Sequence, residues 1–169
     1  PAELISTNGW SAVINNNLNG TFFVSQQMAK TFFIPQRNGT IVNITANIFR
    51  GFPGMAHTGA ARAGVENLTK TLSQEWAEYN IRINAIAPGT IASSGLDTYP
   101  APLKKFFTQA QEENLMNRFG TVEDVANSVM FLSSPLSSYI GGVTLYVDGM
   151  EHLAGDRMGL YNVLKGFMK

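Results

Sequence analysis

The chain has 169 residues, of which 44% are hydrophobic and 14% charged, apolar enough to build one packed core and too apolar for a disordered chain. Twelve basic residues balance twelve acidic ones, so no net field steers the chain to nucleic acid or to an anionic membrane surface. There is no cysteine, which excludes disulfides and thiolate metal sites and fits a reducing compartment.

In chain order, Ser6-Thr7-Asn8 offers helix-capping side chains, and Trp10, Val13, Ile14, Leu18 and Phe22 come after it at helical spacing, predicting a helix over about 8–30. Residues 35–39 are turn chemistry, and 40–45 form a short β-branched apolar run expected to be a buried strand. Glycine and proline break 46–57 into a loop. Ala61, Val65, Leu68, Leu72 and Trp76 predict a second long helix over about 59–79, and 81–87 read as a strand stopped by Pro88-Gly89. A loop is expected over 90–101, a weak helix over 102–117, and a helix from Thr121 to about Leu132 opened by a capping box with Asp124 in place of the usual Glu. Val143 to Val147 is the last strand, ended by Asp148-Gly149.

This alternation predicts an α/β fold, a parallel sheet with helices on both faces. Three strands alone leave edges and faces uncovered, so the sheet is expected to be part of a larger one. His57 and His152 lie far apart with no carboxylate at ligand spacing, so no metal site is expected. No apolar stretch reaches the roughly 18 residues of a membrane span and no signal peptide is visible, so a soluble cytoplasmic protein is expected.

Several blocks occur in a fixed order: Trp10 with Asn17-Leu-Asn-Gly20, Gly39-Thr-Ile-Val-Asn-Ile44, Gly59-Ala-Ala-Arg62-Ala-Gly-Val65, Arg82-Ile-Asn-Ala-Ile-Ala-Pro-Gly89, Phe131-Leu-Ser-Ser-Pro135 and Val147-Asp-Gly149. Together they resemble the short-chain dehydrogenases/reductases along nearly the whole chain. The run from Gly51 to Leu68 is most similar to the 2,4-dienoyl-CoA reductases, the peroxisomal trans-2-enoyl-CoA reductases and the citronellol or citronellal dehydrogenases. The resemblance implies the C-terminal part of a Rossmann-like doubly wound sheet, one domain of roughly 250 residues when complete. About 80 to 100 N-terminal residues, holding the glycine-rich phosphate-binding strands, are then expected to be absent. Neither Gly-x-x-x-Gly-x-Gly nor Gly-x-Gly-x-x-Gly occurs in the chain.

Asn17 falls beside the buried stripe of the first helix, where an amide needs partners. It is either a structural hydrogen bond across helices or, as the resemblance implies, a residue of a loosened helix that holds a relay water beside the coenzyme. The family pairs Tyr and Lys one helical turn apart, the ammonium lowering the phenol's pKa and binding the nicotinamide ribose. The matching residues here are Thr58 and Arg62. Threonine cannot be a phenolic acid, and arginine can bind ribose through its fork without relaying protons. A later register at Glu66 and Lys70 reads as an ion pair on a solvated face. A loop position that carries Tyr in the dienoyl reductases holds Ile48 and Phe49.

The family's serine falls at Thr45 or Ala46, and only Thr45 keeps a hydroxyl. His57 is the remaining titratable group there, an acid or base or else a loop histidine bonded to backbone or substrate. Pro88, Gly89, Thr90 and Ile91 match the backbone that contacts the nicotinamide carboxamide, and Ser93-Ser94-Gly95 with Phe106-Phe107 match a substrate lid. The expected activity is NAD- or NADP-dependent hydride transfer to or from a carbonyl or conjugated enoyl substrate, including CoA thioesters. A citronellol-type alcohol dehydrogenase ranks second. A non-catalytic member or fragment retaining only assembly surfaces is the rival. The first and second long helices match the interface of family tetramers, so a homotetramer is expected, with small-molecule substrates and neither nucleic acid nor membrane as partner.

Overall fold

The computed structural model describes residues 2–97, 111 and 114–153. Ser6 opens the first helix by accepting from the Gly9 amide at 3.0 Å. From there the chain runs as one rod of three α segments, α1 (Thr7–Ile14), α2 (Gly20–Met28) and α3 (Ile34–Gln36), joined by π-helical Asn15–Asn19 and Ala29–Phe33. The first π segment has a visible cause. The Asn17 side-chain amide donates to Val13 O at 3.1 Å and the Thr21 hydroxyl to Asn17 O at 2.8 Å, so side chains occupy carbonyls of the i−4 ladder. The rod outruns the expected end near residue 30 and takes in Pro35. That proline follows directly on the second π segment and removes one N–H from the ladder of the rod. Arg37, at φ 51°, then ends it.

β1 (Gly39–Ile44), β2 (Ile81–Pro88) and β5 (Thr144–Val147) form a parallel sheet in the order β1-β2-β5. α4 (Ala56–Glu75) begins three residues before its expected start and buries Ala61, Val65, Thr69 and Leu72. Leu72 packs with Ile81 and Ile83 of β2, and Phe22, Phe33, Ile41, Leu68 and Trp76 close around them. Each fully buried side chain of this kind contributes about 1.5–3 kcal/mol. β2 is buried from Ile83 to Ala87 on both faces, as a middle strand should be. Its opposite face meets α6 (Val122–Ser133), whose capping box is present in both directions between Thr121 and Asp124. The Asp124 carboxyl is drawn down to about 2 by its bond to Arg118 and by the Thr121 amide.

β3 (Ile91–Ala92) and the short α5 (Ser94–Asp97) lie in the stretch expected to be loop, and β3 forms a two-residue parallel ladder with β4 (Gly120–Thr121), just before the helix that Thr121 caps. Phe106-Phe107 and most of the expected helix over 102–117 fall outside the described residues, and its described end, Asn114 to Asn117, is a turn closed by the Asn117 amide on Asn114 O at 2.8 Å with Asn117 at φ 53°. Among the described residues β1 pairs on one side only, and beside its open edge runs a groove lined by Gly20, Val24, Met28, Phe33, Ile41 and Ile44. No described helix is long and apolar enough to cross a membrane.

Candidate functional site at the strand ends

The C-terminal ends of β1 and β2 lie side by side, and four segments converge on them. Thr45, the residue after β1, is buried. Its amide and its hydroxyl both donate to Ile86 O, at 2.8 and 3.1 Å, so the hydroxyl proton is already committed. From α4, the Arg62 guanidinium donates to Ile44 O at 2.8 Å, while its Nε is buried without a hydrogen-bond partner. Burial pushes its pKa down, yet a guanidinium stays charged at any working pH. Arg62 is therefore not the surface charge that an isolated helix position would suggest. It is a half-buried cation at the end of a parallel strand, with one of its five N–H donors bonded to Ile44 O.

His57 and Thr58 occupy the first turn of α4, where backbone donors lack intrahelical acceptors. The Thr58 amide donates to His57 Nδ1 at 2.8 Å, and the Thr58 hydroxyl lies 3.3 Å from the same nitrogen. An amide can only donate, so Nδ1 is the acceptor and the ring proton resides on Nε2. Asn17 spends its side-chain amide within its own helix on Val13 O, in the π segment that packs against α4. No hydrogen bond joins it to the other candidates among the described residues.

The Pro88–Ile91 segment is held from every side. Pro88 O accepts from the Asn47 amide at 3.0 Å, the Gly89 amide donates to Val147 O at 3.1 Å, the Thr90 amide donates to Glu151 Oε2 at 3.3 Å, and Thr90 O accepts from the Gly120 amide at 3.0 Å. Ile91 enters the β3 ladder. Burial pushes the Glu151 carboxyl upward, the Thr90 amide opposes this, and the Asp148 charge adds to it. Asn47 and Glu151 were not legible in the sequence, because their partners lie 41 and 61 residues away.

Glu66 corrects the expectation of a solvated ion pair with Lys70. No ion pair joins them, and Glu66 Oε1 is buried without a partner on the flank of α4 facing Tyr146. Burial raises its pKa above 4.5, partly offset by Lys70. For a carboxyl raised by folding, the penalty is absent below the unfolded value and grows as pH climbs through the folded one. Glu66→Gln is thus expected to raise the melting temperature near neutral pH and to leave it unchanged at about pH 4. An unchanged melting temperature at both pH values would refute the buried carboxylate.

Residues 1–149 match the family model described as enoyl-(acyl carrier protein) reductase. The chain belongs to the short-chain dehydrogenase/reductase superfamily. The peroxisomal 2,4-dienoyl-CoA reductase ((3E)-enoyl-CoA-producing) of Mus musculus is 40% identical over 156 residues, covering 88% of this chain and 51% of the relative. Among solved structures, the citronellol catabolism dehydrogenase AtuB of Pseudomonas aeruginosa PAO1 is 36% identical with a TM-score of 0.77, covering 90% of this chain and 58% of that one. A gluconate 5-dehydrogenase of Burkholderia cenocepacia J2315, in complex with NADP and tartrate, is 30% identical with a TM-score of 0.82, covering 92% of this chain and 60% of that one. The chain thus spans between half and three-fifths of the length of these short-chain dehydrogenases/reductases, and its sheet is part of their Rossmann-like fold.

Proposed function

We propose that this chain forms the nicotinamide and substrate side of an NAD(P)-dependent oxidoreductase acting on a carbonyl or conjugated enoyl group, with CoA thioesters among its substrates. The observation that carries the reading is Arg62. A charged fork anchored on Ile44 O, with Nε buried and unpaired, suits the hydroxyls of a nicotinamide ribose. The described residues hold no cradle for the pyrophosphate, so we further propose that polypeptide outside these 169 residues binds that end and extends the sheet along the open edge of β1.

When bound, nicotinamide supplies or accepts the hydride. Hydride addition to a carbonyl or conjugated alkene leaves negative charge on an oxygen, which demands a donor. His57, its Nδ1 accepting from the Thr58 amide, offers Nε2–H, a hydrogen-bond donor of the kind that polarises a carbonyl. Its acceptor nitrogen is spent on Thr58, so it is a poor base for alcohol oxidation. This favours reduction over the alcohol-dehydrogenase alternative. Thr58 and Asn17 line the same approach in this reading, and Thr45 fixes the end of β1 without donating a proton. Pro88 to Ile91 form the floor against the nicotinamide.

Exposed Trp10, Phe23 and Phe32 on the long rod support assembly into a homotetramer, and the lack of cysteine supports a cytoplasmic setting. NADH or NADPH is to be titrated by fluorescence into the full-length polypeptide carrying these residues, with enoyl-CoA and alcohol turnover measured separately. Arg62→Ala should weaken coenzyme binding about tenfold or more, and His57→Ala should lower kcat for reduction about a hundredfold. Absence of coenzyme binding by the unsubstituted protein would overturn the reading.

A further inference from the structure

Beyond the strand ends, one turn reaches both the loop after β1 and the Gly89–Thr90 segment. β5 ends at Val147, and Asp148 comes next, almost wholly buried. Its Oδ1 accepts from the Met150 amide at 3.0 Å. Its Oδ2 accepts from the His152 amide at 2.9 Å and the Asn47 side-chain amide at 3.1 Å, and lies 2.8 Å from His152 Nδ1. The backbone it caps is unusual, since Gly149 at φ 60° is followed by Met150 at φ 68°, a conformation a methionine adopts only when its surroundings impose it.

Two of these contacts exceed what closing a turn needs. Asn47 lies 101 residues away in sequence, in the loop after β1. Its backbone amide bonds to Pro88 O while its side chain bonds to Asp148, and its Oδ1 accepts from the Phe49 amide at 3.3 Å. Phe49 in turn sets its ring edge against Tyr146 and His152, whose own rings stack at 4.3 Å and 21°. On the other side, Asp148 lies directly beneath Gly89, so close that a Cβ there would fall 2.7 Å from Asp148 Cβ. Glu151, three residues on, takes the Thr90 amide.

We propose that Asp148 is a positioning residue. Through Asn47 it locks the loop after β1 to the Pro88–Thr90 floor, so that the two segments flanking the reacting groups move as one body. Its kinetic consequence rests on the oxidoreductase reading, but the mechanical coupling does not.

The test uses the full-length polypeptide with Asn47→Asp, Asp148→Asn, the double exchange, and Asn47→Ala. Asn47→Asp alone sets two carboxylates against each other, Asp148→Asn alone sets two amides against each other, and the double restores a donor facing an acceptor between positions 47 and 148, while the His152 amide, which shares Oδ2 with Asn47, meets the new amide nitrogen. Amide hydrogen exchange at Asn47 and Thr90 should quicken about tenfold or more in each single exchange and return to within about threefold of the unsubstituted protein in the double. Asn47→Ala removes the contact without setting like groups together, so it serves where a single exchange fails to fold, and it should quicken exchange at Met150 and His152. With turnover, the single exchanges should raise the coenzyme KM as well as lower kcat, whereas a merely structural role would lower the melting temperature and leave both constants per folded molecule unchanged. Quickened exchange confined to the loop in Asn47→Ala, or no recovery in the double, overturns the proposal. Coupled exchange in a protein that never oxidises or reduces a nicotinamide would overturn the function and keep the coupling.

Discussion

Arg82→Met is expected to lower the stability of the protein by about 1.5–3 kcal/mol, a large part of the margin of any single domain. The Arg82 guanidinium reaches five acceptors on the α6 side of β2. Its NH1 donates to Leu132 O, the Ser137 hydroxyl and Ile140 O at 3.0, 3.0 and 3.4 Å. Its NH2 donates to Thr40 Oγ1 at 3.3 Å and Ser134 O at 3.2 Å. Two of these are carbonyls at the C-terminal end of α6, where a cation offsets both the unpaired acceptors and the helix dipole. Methionine keeps the apolar stem and removes every donor, leaving Leu132 O and Ser134 O to the Ser137 hydroxyl and Ile140 O to the Asn84 side-chain amide. Arg82→Lys should fall between the two, because an ammonium cannot span a fork of this width. Denaturant unfolding would show the loss as a lower midpoint at constant slope. A change below about 1 kcal/mol for Arg82→Met would mean that water replaces the guanidinium at this junction.

Gly89→Ala should damage activity more than its size suggests. The added Cβ would lie 2.7 Å from Asp148 Cβ, 2.8 Å from Asp148 Cα and 2.8 Å from Glu151 Oε2. The carboxylate could swing aside, but the Cα belongs to a backbone fixed at the end of β5, so the floor itself must rise. Overpacking of this kind costs about 1–3 kcal/mol, and a displacement near 1 Å in a reacting geometry costs about a hundredfold in rate. Gly141→Ala is the control, since nothing lies within 4 Å of its Cβ, and it should leave both quantities close to unchanged. If kcat/KM per folded molecule for Gly89→Ala matched that of the control, Pro88–Thr90 would not be the floor of the site.

The sequence displayed what is local and periodic. Val65, Leu72 and their neighbours marked the buried stripe of α4, and Thr121 with Asp124 announced the capping box, because both signals lie within one or two helical turns. That Thr58 and Arg62 lie one turn apart on α4 was legible for the same reason. What those residues touch was not. The acceptor of Arg62 is a carbonyl 18 residues earlier, and Glu66 loses its solvent on the side of Tyr146, in a strand far along the chain. Helical periodicity could not tell Glu66 from an exposed residue, since its burial comes from elements outside its own helix. The tautomer of His57 likewise depends on a single amide that only the folded first turn of α4 brings to it.

The two π segments of the long rod also govern which way its faces point. Each inserts about one residue into a repeat of 3.6 per turn, which rotates everything beyond it by about 100°. The stripes of α1, α2 and α3 are therefore out of phase with one another. A scan that assigns faces by counting in fours from Trp10 will place residues beyond Asn19 on the wrong side, and again beyond Phe33. Shortening Asn15–Asn19 by one residue would realign the phases and turn the α2 face now packed against α4 away from it. The asparagine cluster thus sets the rotational phase of the rod, quite apart from any chemistry at Asn17.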